Sequence, residues 1–106
     1  MATELYHRIV GYDYGDPERN AMMLKVWSPT PWAIDVIDFE PNSKEWFDFI
    51  EWAEENIGPQ SWPIHGKPGD WYRAGATVHG HTHYGFSSEE ALDKFRKRYP
   101  ERVATP

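Results

Sequence analysis

Apolar residues in two stretches of this chain repeat at intervals of three and four. Trp46, Phe49, Ile50, Ala53 and Ile57 fall on one stripe, with Glu45, Asp48, Glu51 and Glu55 opposite them. That is the period of an amphipathic helix. Asn42 stands at N-cap position with Glu45 three residues on, a capping-box spacing, and Gly58-Pro59 supplies the stop. A second helix is predicted from Ser87, capped through Glu90, with Ala91, Leu92, Phe95 and Tyr99 inward and Pro100 ending it.

The remaining apolar runs are shorter and read as strands: Leu5–Tyr12, Met22–Trp27, Trp32–Phe39, Trp71–Thr77 and Thr82–Phe86. Turn chemistry separates the first two at Asp13–Asn20, and Ser28-Pro29-Thr30-Pro31 ends the second. Trp32–Phe39 is apolar on both faces, which predicts a central strand. Residues 60–69 hold too much Gly and Pro for regular structure, and Trp62 and Ile64 are expected to pin that loop down.

The last two strands form a hairpin if Val78-His79-Gly80 is its loop, with Gly80 at positive φ. That register pairs Ala76 with Thr82, Ala74 with Tyr84 and Tyr72 with Phe86, and so collects the apolar residues on one face. The predicted order is β-β-β-α-β-β-α. It implies an α+β two-layer sandwich of ferredoxin-like flavour: a largely antiparallel sheet of about five strands with two helices on one face. Residues 1–100 make one domain, and 101–106 read as a loose C-terminal tail.

Composition narrows the function. The 106 residues include no cysteine, which removes disulfides, thiolate metal sites and a cysteine nucleophile and suits a reducing cytoplasm. The N-terminus has no signal-peptide pattern, and no apolar run is long enough to span a bilayer, so no membrane is expected. Net charge is −6, with thirteen acids against five bases over residues 1–70 and four against six afterwards. That balance is poor for gripping phosphates, so nucleic acid is not the expected partner. Aromatic residues make up 16% of the chain, more than a core of this size needs, which predicts exposed aromatic anchors.

Candidate chemistry is sparse. His79, His81 and His83 alternate within five residues. A continuous strand would gather them around a metal, whereas a turn at Gly80 leaves only His81 and His83 on one face, away from the helices. The acids Glu45, Asp48, Glu51 and Glu55, preceded by Asp35, Asp38 and Glu40, form an acidic face suited to a basic protein surface. Trp52 at its edge and Trp62 in the loop are the candidate aromatic contacts. The basic run Lys94, Arg96, Lys97, Arg98 and Arg102 is diluted by acids and reads as ordinary helix surface. No Gly-rich phosphate loop, Ser/His/Asp spacing or paired-carboxylate pattern is present.

The Phe47-Asp48-Phe49-Ile50-Glu51-Trp52-Ala53-Glu54-Glu55-Asn56-Ile57-Gly58 segment, with Tyr84-Gly85-Phe86 and Ser88-Glu89-Glu90-Ala91-Leu92-Asp93-Lys94-Phe95, resembles small accessory proteins of tailed bacteriophages. The resemblance covers about 40 residues. It implies a viral protein that binds, and in doing so inhibits, a host protein or defence complex. The expectation is therefore a non-enzymatic interaction protein without cofactor. The competing expectation is a metal-binding or metal-dependent hydrolytic module around His79, His81 and His83.

Overall fold

The computed structural model describes residues 2–75 and 80–104. In chain order the elements are α1 (Glu4–Gly11), α2 (Pro17–Trp27), β1 (Trp32–Ile37), α3 (Lys44–Asn56), a 3-10 turn (Pro63–His65), β2 (Trp71–Arg73), β3 (His81–Phe86), α4 (Glu89–Arg98) and a second 3-10 turn (Pro100–Arg102). The class is α+β, as expected, but the described sheet has three antiparallel strands in the order β1-β3-β2 rather than about five.

The two missing strands are helices. Leu5, Tyr6, Ile9 and Val10 are spaced i, i+1, i+4 and i+5, which suits a helix face as well as an apolar strand. The Thr3 hydroxyl accepts the Tyr6 amide at 3.4 Å and caps α1. Asp16 accepts the Glu18 amide at 3.0 Å and caps α2, with Pro17 in the first turn. These caps decide the state of both segments.

The consequence is a sheet covered on both faces instead of one. Ile34, Val36, Trp71, Tyr84 and Phe86 pack against Phe49 and Ala53 of α3 and Leu92 and Phe95 of α4. Through the other face, Ala33 and Tyr72 meet Ile9 of α1 and Trp27 of α2. Double burial explains why β1 is apolar on both sides although it is an edge strand. The central strand is β3.

The β2–β3 register differs by one residue from the expected one: Trp71 faces Phe86, Tyr72 faces Gly85 and Arg73 faces Tyr84. This register buries Trp71 against α3, where its indole N–H donates to the Gly58 carbonyl at 3.1 Å. Gly80 has the expected positive φ of 80°. Val78 and His79 of the expected turn lie outside the described residues.

The caps of α3 and α4 are Ser43 and Ser88, each one residue after the expected Asn42 and Ser87; each hydroxyl accepts an amide at 3.1 Å, from Trp46 and Ala91. Residues 101–104 are not a loose tail. Val103 bridges Val36, the Ala104 amide donates to the Asp35 carbonyl at 3.1 Å, and Arg102 donates to the Asp38 carbonyl at 2.9 Å. Among the described residues no helix is long and apolar enough to cross a membrane.

Candidate functional site

Two apolar residues stand in water on a loop that is itself firmly held. Ile64 is 93% exposed and Trp62 51% exposed, so neither pins residues 60–69 as expected. Backbone bonds do that instead: Ser61 N–H to the Trp71 carbonyl at 2.6 Å, Trp62 N–H to Lys67 at 2.7 Å, and Asp70 N–H to Pro59 at 2.8 Å. Gly69 makes this closure possible, since a Cβ there would lie 2.5 Å from the Pro59 carbonyl oxygen.

Beside this loop runs a groove of about 540 Å³. Met22, Met23, Val26 and Trp27 of α2 form one wall, Pro63 and Ile64 the other, and Tyr72, Ala74 and His83 line it from the sheet. Trp27 meets Tyr72 edge-on at 5.0 Å between ring centres. Burial pushes the Tyr72 hydroxyl pKa above its ordinary value. Met22 is 60% exposed at the rim. Mobile thioethers beside fixed aromatics give a surface that adapts to an apolar guest.

Polar residues also line it: Tyr14, His65 and Arg73, besides Ser61 and His83. The Ser61 hydroxyl is fully buried and has no hydrogen-bond partner among the described residues. His83, opposite Asp35 in the β1–β3 ladder, places Nδ1 2.5 Å from Asp35 Oδ1, out of line for a full hydrogen bond. Nδ1 is buried while 42% of the His83 side chain is exposed.

The expected site residues are not brought together. Glu45, Asp48, Glu51 and Glu55 are exposed on α3, across the sheet from the groove, and Asp48 is paired with Lys44 at 2.7 Å. Trp52 is turned toward the core, edge-on to Tyr99 at 5.5 Å. Trp62 is exposed but sits in the loop, where it shares a second hollow with Glu54.

Two of the acids preceding α3 are engaged internally. Asp35 faces His83, and Asp38 takes the Arg73 guanidinium and the Tyr84 hydroxyl, the latter at 2.8 Å. His81 and His83 do share a face of β3, the face on which α1 and α2 pack further along: His83 is partly covered, 6.4 Å from the Trp27 ring, and His81 is exposed. His79 lies outside the described residues. Among the described residues no three His, Asp or Glu side chains gather to hold a metal ion.

Most of the basic run is engaged locally: Lys94 donates to the Asn56 carbonyl at 2.9 Å, Arg96 reaches Asp93 at 3.4 Å, Arg98 lies over the Tyr99 ring and Arg102 donates to the Asp38 carbonyl at 2.9 Å. Sequence reasoning missed the groove because its walls come from a helix read as a strand and a loop residue, Ile64, read as a plug. The signal available was an isoleucine between Pro63 and His65 in a stretch otherwise too polar and too broken to bury it.

Compared with protein-family models, with curated proteins and with solved structures, the chain matches none.

Proposed function

We propose that this protein is a non-enzymatic interaction module that grips a protein partner along the Trp62–Ile64 ridge and the groove beside it. The observation that carries this reading is Ile64, almost wholly exposed on a loop fixed by backbone hydrogen bonds. A large aliphatic side chain held in water adds little to the fold, and burying it against a partner gains roughly 1.5–3 kcal/mol. Trp62 and Met22 extend the same apolar surface, and clustered anchors of this kind are where interfaces concentrate their energy.

The acidic face of α3 plays a separate part. Glu45, Glu51 and Glu55 steer a partner with a basic surface and speed its encounter. The likeness of the α3 and α4 segments to phage accessory proteins supports a bacterial host protein as that partner and inhibition as the outcome.

The test is capture from bacterial lysate by wild type, Ile64→Glu, Trp62→Ala and a Glu51→Lys/Glu55→Lys double variant. Ile64→Glu is expected to abolish retention of a specific partner, and Trp62→Ala to reduce it at least about tenfold. The double variant is expected to slow binding and weaken its salt dependence. Full retention by Ile64→Glu would refute the assignment to this surface.

A further inference from the structure

We infer that the partner segment entering the groove is acidic: an apolar side chain flanked by Asp or Glu, whose carboxylate is received by Lys25 and Lys67. This rests on the interaction reading above. The groove side differs in charge from the rest of the molecule. The chain has 17 acids against 11 Lys and Arg, yet no Asp or Glu lines the groove. Asp38 and Asp35 are the ion-pair partners of Arg73 and His83 and line neither the groove nor the hollow beside it.

That hollow, of about 250 Å³, shares Ser61 and Pro63 with the groove. Its charged residues are two cations, Lys25 from the last turn of α2 and Lys67 from the loop. Neither lysine has an ion-pair partner among the described residues, although Glu54 shares a further hollow with Trp62 and Lys67. Both are exposed and end in an ammonium on a flexible four-carbon stem, so each can swing over a carboxylate at the mouth of the hollow. The carbonyls ending α2 would repel an anion, but they are already engaged: Leu24 by the Ser28 N–H at 2.9 Å and Trp27 by the Thr30 N–H at 3.0 Å.

Charge separates the occupants of this surface. A basic segment meets Lys25 and Lys67 as like charges, and a second copy of the chain brings the same two lysines to the contact. An acidic segment pairs with them while its apolar residue enters the groove, and their field speeds its arrival. Across the sheet α3 makes the opposite demand, so the two sides of the molecule sort a partner's acidic and basic regions.

The test is an NMR titration of the full chain at low salt with three acetylated, amidated peptides: Asp-Glu-Leu-Leu-Glu-Asp, Asn-Gln-Leu-Leu-Gln-Asn and Lys-Lys-Leu-Leu-Lys-Lys. Signals are read at the Met22, Met23 and Ile64 methyls and the Lys25 and Lys67 ε-methylenes. The acidic peptide is expected to bind about three- to tenfold more tightly than the neutral one, the ratio two exposed ion pairs supply, and the gap to narrow in high salt. Lys25→Gln/Lys67→Gln is expected to erase that preference with binding of the neutral peptide unchanged, and Lys25→Arg/Lys67→Arg to keep it. Equal binding of the acidic and neutral peptides, tighter binding of the basic one, or no binding of the acidic one overturns the inference. So does sedimentation of the chain alone as a dimer that Ile64→Glu breaks. In the lysate capture, a partner lost by Ile64→Glu but fully retained by the glutamine double variant overturns the acidic segment and leaves the partner surface standing. Retention of the partner by Ile64→Glu overturns that surface instead.

Discussion

Tyr84 shows how one buried hydroxyl organises its neighbours. It donates to Asp38 Oδ1 at 2.8 Å, and the same carboxylate takes both Nε and Nη2 of Arg73, whose guanidinium lies 4.7 Å from the Trp46 ring centre. Breaking a buried pair leaves a charge uncompensated, so each member is held by the others. Tyr84→Phe removes one hydrogen bond to a charged group and is expected to cost about 2 kcal/mol at neutral pH. Burial first, and then the Asp38 carboxylate, push the Tyr84 hydroxyl far above its ordinary pKa.

The folded-state value is therefore raised. The stabilisation is complete below the unfolded value of about 10 and is lost as pH climbs above it. Denaturation curves from pH 8 to 11 are expected to show wild type losing stability at alkaline pH more steeply than Tyr84→Phe; parallel slopes would contradict this. The sequence supplied Asp38, Arg73 and Tyr84 as separate letters. Only a one-residue register and a turn between β1 and α3 make them a network.

Among the elements, the helices flanking the sheet owe their state to end signals more than to their interiors. Thr3 and the Asp16-Pro17 pair are legible in the sequence as caps, yet the apolar runs behind them fit a strand equally well. The α3 and α4 stripes had no such ambiguity, because a longer spacing at three and four admits only one period. The crossing from α2 into β1 sets a further demand. Thr30 lies directly over β3, and a Cβ at Gly85 would come within 2.6 Å of the Thr30 carbonyl oxygen. Gly85→Ala is expected to cost about 1–3 kcal/mol through this overlap. A urea titration should show the midpoint falling with an unchanged slope. An unaltered midpoint would mean that the α2–β1 connection yields freely.

For the whole molecule, closure of the sheet is the organising fact. Val103 and Ala104 cover part of the outer edge of β1, and Gln60 and Ser61 pair with Trp71 on the outer edge of β2. Both edges of the three-stranded sheet are thus partly blunted, which limits strand-to-strand association. Deleting residues 101–106 removes the hydrogen bonds from Arg102 to the Asp38 carbonyl and from Ala104 to the Asp35 carbonyl and is expected to cost about 1–3 kcal/mol. It should also make the protein associate with rising concentration, read by thermal melting and sedimentation. A truncated chain as stable as the full one, and no more prone to associate, would show that the C-terminal segment does not guard the edge.

By itself the sequence determined the α+β class, the α3 and α4 helices with their inward stripes, the positive φ at Gly80 and the extended state of Trp32–Ile37. Each depends on contacts between near neighbours, and those are written in residue spacing. Tertiary structure alone decided that helices cover both sheet faces, that Trp71 pairs with Phe86, and that Ile64 stands in water beside an apolar groove. These depend on which distant segment arrives opposite. Short apolar runs carry no mark of whether a helix, a strand or open solvent will meet them.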